Sequence, residues 1–115
     1  MALPIADYAL IGDRATAALI GTNGSIDWLC LPRFDSPACF SALLGSAEHG
    51  RWLLTPSVRG EEPGHRAVRR YLGASTLLET TFSSTDGQVE LLDLMPTGDE
   101  RADVVRRLRC TKGRM

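Results

Sequence analysis

Trp28, Arg33, Phe34 and Asp35 fall within eight consecutive positions of one stretch, SIDWLCLPRFDSPACF, Ser25 to Phe40. An indole, a guanidinium, a phenyl ring and a carboxylate are side chains that suit a sugar. Its C–H faces stack on aromatic rings, and its hydroxyls need a few fixed polar partners. Pro32 fixes its own φ and pushes Leu31 toward extended backbone, which makes a stiff tip. A stiff tip aims Arg33 and Asp35 outward with little entropy lost on binding. The same residues have a plainer reading. Trp28 and Cys30 share one face of a strand and belong to a core, Asp35 caps a helix, and Arg33 pairs with Asp35 or Asp27. At the level of residue types both readings stand.

Hydrolysis of a glycosidic bond by this chain itself would need two carboxylates roughly 5–9.5 Å apart, one with a raised pKa. Asp27, Asp35, Glu79, Glu90 and Asp93 are the candidates. Asp27 and Asp35 stand at opposite ends of a strand and loop. Glu79 and Asp93 sit on alternating strands, where a solvated face accounts for them. No pair stands out, so no catalytic residue is assigned. The cysteines Cys30, Cys39 and Cys110 and the histidines His49 and His65 lack metal-ligand spacing, so neither a metal nor another cofactor is expected. The basic run HRAVRRYL, His65 to Leu72, reads as a solvated loop entering a strand.

Composition narrows the partners. The chain has 115 residues and a formal net charge of −1, so nothing in its balance favours nucleic acid or an anionic membrane. No apolar run approaches the roughly 20 residues of a membrane helix. MALPIADYAL has no basic n-region and no long apolar h-region, so no signal peptide is read. Three unpatterned cysteines fit a reducing compartment, and the location expected is cytoplasmic.

The elements that would position these residues are mostly short strands. Apolar runs 17–21 and 25–31 flank Thr22-Asn23-Gly24, where Asn-Gly tolerates positive φ and predicts a hairpin. A strand over 8–11 precedes it. Residues 36–44 predict a short helix, with Ser36 or Asp35 as cap, Pro37 in the first turn and Phe40, Leu43 and Leu44 at helical spacing. Strands follow over 50–55, 68–72, 76–83, 88–94 and 103–110, with loops at 57–65 and 96–100 and a turn at 85–87. This is a mainly-β antiparallel sandwich with one short helix. Residues 112–115 read as a turn that should lead to another strand, leaving an open edge. The chain therefore reads as one truncated domain, part of a larger sandwich.

PIADYALIGD, NGSIDWLCLPRFDSPACFSALLG, HGRW and LLETTFSSTDGQVELLDLMP together resemble the N-terminal domain of bacterial trehalase-like and glucoamylase-like proteins of glycoside hydrolase family 15. The resemblance covers the chain from Pro4 to about Met115. It implies a β-sandwich preceding an (α/α)6 barrel. There two glutamates of the barrel act as general acid and base in inverting hydrolysis of α-glucosidic bonds. The barrel is absent from this chain, so no catalytic residue carries over. The resemblance also implies that a sandwich loop approaches the barrel's pocket, at positions matching Trp28, Arg33, Phe34 and Asp35. The expected function is a non-catalytic accessory domain of an enzyme acting on trehalose or malto-oligosaccharides. Its partners are the barrel and, through it, an α-glucoside. A purely structural interaction domain is the alternative.

Overall fold

The computed structural model describes residues 2–57, 65–98 and 101–115. Two antiparallel sheets account for the strands. The first runs in the order β1 (Tyr8–Gly12), β2 (Ala17–Gly21), β3 (Ser25–Cys30) and β4 (Ala38–Phe40), and β5 (Trp52–Leu53) also pairs with β3. The second is a meander of β6 (Arg66–Tyr71), β7 (Leu78–Ser83), β8 (Gly87–Leu94) and β9 (Val105–Gly113).

Period-two alternation builds the second sheet. Leu78, Thr80 and Phe82 of β7 and Val89, Leu91 and Asp93 of β8 are buried, while the residues between them are half-exposed. Ile11, Ala18, Ile20, Ile26 and Leu29 of the first sheet meet Leu78 and Met95 in one apolar cluster. Phe82, Val89 and Leu91 form a second, with Leu54 and Ala67 packed against it. The sheets thus bury one face each against the other. On the opposite face of the second sheet, cross-strand partners carry opposite charges: Arg70–Glu79 at 3.0 Å and Arg109–Glu90 at 2.8 Å. Such exposed pairs keep the face wet and add little stability.

The β2–β3 hairpin follows the Asn-Gly signal. Gly24 has φ +84° and donates its N–H to the Gly21 carbonyl at 3.0 Å. A Cβ there would also collide with the Leu54 carbonyl, so the position needs glycine for two reasons.

Several elements differ from expectation. No helix spans 36–44: β4 occupies Ala38–Phe40, and single 3₁₀ turns follow at Ala42–Leu44 and Ala47–His49. A lone nine-residue helix is marginal. The edge of β3 offers backbone partners instead, and Leu29 and Cys30 pair with Phe40 and Ala38. The strand expected over 50–55 contracts to Trp52–Leu53. β9 continues through Gly113 where a turn was expected, because Gln88 and Gly87 pair with Lys112 and Gly113 across a bulge. Residues 58–64 of the loop at 57–65, and 99–100 of the loop at 96–100, lie outside the described residues. Among the described residues, no helix is long and apolar enough to cross a membrane.

Candidate functional site: the corner after β3 and the outer face of the first sheet

β3 carries one residue more than its partner. Ile20 pairs with Ile26 and Leu19 with Trp28, so Asp27 is the extra residue of a bulge. A bulge sets two neighbouring side chains on the same side of the sheet. Ile26 and Leu29 enter the core, whereas Asp27 and Trp28 lie on the outer face. Trp28 is half-buried there, opposite Leu19, with the exposed Leu10 next across β1. It is neither a core residue nor a fully free platform.

The corner itself is held by its backbone. Phe34 donates its N–H to the Ala15 carbonyl at 3.0 Å, and Arg33 and Ser36 exchange bonds through the Ser36 hydroxyl at 3.1 Å and the Arg33 carbonyl at 3.1 Å. The Thr16 hydroxyl donates to the Cys30 carbonyl, tying the end of β3 to the β1–β2 turn. The side chains are exposed: Arg33 and Asp35 are 72% and 79% exposed, and among the described residues their charged groups pair with each other, Nε to Oδ1 at 3.3 Å. Phe34 is 64% exposed. Asp35 caps no helix. Arg33, Phe34 and Asp35 are therefore brought together at one tip, and Trp28 stands back in the sheet.

Some polar residues matter more than the sequence suggested. A solvated face accounts for Asp93 in the sequence, but the residue is fully buried on Arg106, Nε to Oδ1 at 2.6 Å, with both side chains at 0% exposure. Arg106 also donates to the Trp52 and Gly24 carbonyls, each at 2.7 Å, and lies 5.2 Å from the centre of the Trp52 ring. Burial raises the Asp93 pKa, against the opposing pull of the guanidinium. Locked in this way, Asp93 is no candidate base. The signal was present, since a carboxylate in step with Val89 and Leu91 must find a cation.

The basic run 65–72 is not simply solvated either. Arg69 crosses to the first sheet and donates to the Ile20 carbonyl at 2.8 Å and the Asp7 carbonyl at 3.0 Å. The Tyr71 hydroxyl accepts the Leu10 N–H at 3.1 Å and donates to the Leu10 carbonyl at 2.8 Å, which closes the exposed edge of β1.

Asp27, 6% exposed, accepts hydrogen bonds from the Tyr8 hydroxyl at 2.6 Å and the Ser25 hydroxyl at 2.5 Å. Burial, followed by this bond to Asp27, raises the Tyr8 pKa. Asp27 stands among the candidate carboxylates and as an alternative partner of Arg33, which pairs with Asp35 instead; its burial comes from a bulge in pairing, which no sequence signal marks.

A family model described as trehalase-like, N-terminal, matches residues 1–114. A trehalase of Mycobacterium tuberculosis is 40% identical over 111 residues, which cover 92% of this chain and 15% of that protein. Trehalase 1 of Sulfolobus acidocaldarius is 40% identical over 99 residues, 86% of this chain and 16% of that protein. A trehalase of Thermoplasma volcanium is 44% identical over 94 residues, 80% of this chain and 14% of that protein. No solved structure gives a significant match. The chain thus spans about a seventh of the length of the curated relatives it matches. A two-sheet antiparallel domain with this corner, matched almost from end to end, belongs to the trehalase-like N-terminal domain family.

Proposed function

We propose that this chain is the accessory domain of a family 15 glycoside hydrolase acting on α-glucosidic bonds, trehalose first among them. In this reading it docks on a catalytic (α/α)6 barrel. Arg33, Phe34 and Asp35 then reach the barrel's pocket, with Trp28 behind them, and the barrel supplies the acid and the base. The observation that carries the proposal is the corner after β3. Its backbone is pinned at Ala15 and Ser36, yet its guanidinium, ring and carboxylate are largely exposed, and among the described residues the two charges pair only with each other. Pre-ordered polar groups of this kind lose little entropy when they meet a ligand or partner. The names of the relatives support trehalose as the substrate.

The test is Arg33→Ala in the polypeptide extended through its catalytic domain. The expected result is a fall in kcat/KM for trehalose of about tenfold, equivalent to about 1.4 kcal/mol. The melting temperature should hold, because the side chain is 72% exposed. Unchanged kinetics would remove the pocket role. They would leave the second reading, a structural interaction domain, which the half-buried Trp28 beside Leu19 favours.

A further inference from the structure

The two sheets turn very different faces outward. Every strand of the second sheet carries charge on its outer face, supplied by Arg66, Arg70, Glu79, Glu90, Arg107 and Arg109. On the outer face of the first sheet, Leu10, Leu19 and Trp28 stand in one row across β1, β2 and β3. Leu10 is 48% exposed, and Leu19 and Trp28 are half-buried. Asp27 is the one charged residue of these three strands, and it is buried on the Tyr8 and Ser25 hydroxyls. An antiparallel sheet with one face in a core ordinarily puts polar side chains on the other. The first sheet does not, and an apolar face left open in this way marks a surface of interaction.

The surroundings of the row match the anatomy of a protein interface, an apolar centre inside a polar rim. Along β3 it is flanked on one side by the corner that carries Arg33 and Asp35. On the other side Asp27, Ala42, Ser46 and Arg51 line a cleft of about 60 Å³, room for a few waters or the tip of one partner side chain. Aliphatic and indole side chains in a flat row offer a sugar's hydroxyls no fixed partner. They suit another apolar protein surface. The chain spans about a seventh of the curated relatives it matches, so in them several times its own length of polypeptide is joined to this domain. A tethered partner acts at an effective concentration on the order of millimolar, so a small patch suffices. We propose that the outer face of the first sheet, centred on Leu10, Leu19 and Trp28, is where the catalytic part of the same polypeptide docks, through an uncharged apolar patch of its own. The inference rests on the docking named under the proposed function and not on a pocket role for Arg33.

The test is hydroxyl-radical footprinting, read by mass spectrometry, of the polypeptide extended through its catalytic domain. Leu10 and Val68 are matched probes, 48% and 52% exposed in this domain and set on the outer faces of different sheets. Leu10 is expected to oxidise at least about fivefold more slowly than Val68, since the centre of a docked interface is closed to water. Leu10→Lys strands a charge in that interface and should raise Trp28 oxidation severalfold, whereas Val68→Lys should leave it unchanged. Both positions are exposed enough to take a lysine without loss of the fold. Equal oxidation of Leu10 and Val68, or a Trp28 indifferent to Leu10→Lys, would overturn the proposal. So would protection that disappears on dilution to the monomer, which would give the row to a second copy of the chain. Kinetics keep the two readings apart. A protected Leu10 with unchanged turnover in Arg33→Ala keeps the docking face and removes the pocket role. An oxidised Leu10 with reduced turnover in Arg33→Ala does the reverse.

Discussion

At Asp93 the cost of burying a charge exceeds what its partner returns. Desolvation raises the carboxyl's pKa although Arg106 lies 2.6 Å away. The sign of the pH effect follows. The unfolded carboxyl titrates near about 3.9, and the folded one above that. Asp93's contribution to stability is therefore full below the unfolded value and is lost as the pH rises through the folded one. Arg106→Ala removes the attraction and leaves the charge stranded, at an expected cost of about 3–5 kcal/mol near neutrality. The cost should shrink below about pH 4, where Asp93 is protonated whether folded or not. Urea denaturation at the two pH values checks this, and an equal loss at both would show that Arg106 acts only through its bonds to Gly24 and Trp52. The corner residues are of the other kind. Arg33 and Asp35 cost the fold nothing and contribute almost nothing to it, which is why their variants are informative about function.

At the scale of elements, the β2–β3 turn is the most sharply determined piece. Gly24 needs a positive φ, lies against the Leu54 carbonyl and offers its own carbonyl to both Leu54 and Arg106. Gly24→Ala is expected to destabilise by at least about 2 kcal/mol, combining the left-handed backbone penalty with the displacement of Leu54. A denaturation midpoint indistinguishable from wild type would mean that the turn can reshape around a side chain. This hairpin was legible because turn chemistry is local, and β7 and β8 were legible because alternation needs no knowledge of partners. The stretch 36–44 was misread for the complementary reason. Pro37 and the spacing of Phe40, Leu43 and Leu44 suit a helix start, but the open edge of β3 decided the outcome from a distance. The exposed tip at Arg33, Phe34 and Asp35 could be named from residue types. The cleft at Asp27 could not, because it depends on strand register and on the return of residues 42–51 to the sheet.

The whole molecule is a sandwich that closes on one side only. Leu91 is fully buried, yet Leu108, directly opposite it on β9, is 56% exposed. The first sheet covers β8 and, on β9, buries Arg106 but leaves Leu108 uncovered, and β9 is the outermost strand of its sheet. A strand that is both unpaired along one side and apolar on an uncovered face attracts another chain. The isolated 115-residue protein is therefore expected to self-associate with rising concentration, and Leu108→Lys to suppress this, as read by sedimentation velocity. A wild-type chain that stays monomeric up to about 100 μM would show that the bare strand is harmless by itself. The bulge in β3 bears on the domain in a different way. With Asp27 removed, Ile26, Trp28 and Leu29 would alternate without interruption and keep their partners Ile20, Leu19 and Ala18. The sheet has no architectural use for residue 27. It is a surplus residue, tolerated at the expense of a regular ladder and fastened by two hydroxyls, and what it adds to the molecule is a carboxylate at the floor of a cleft.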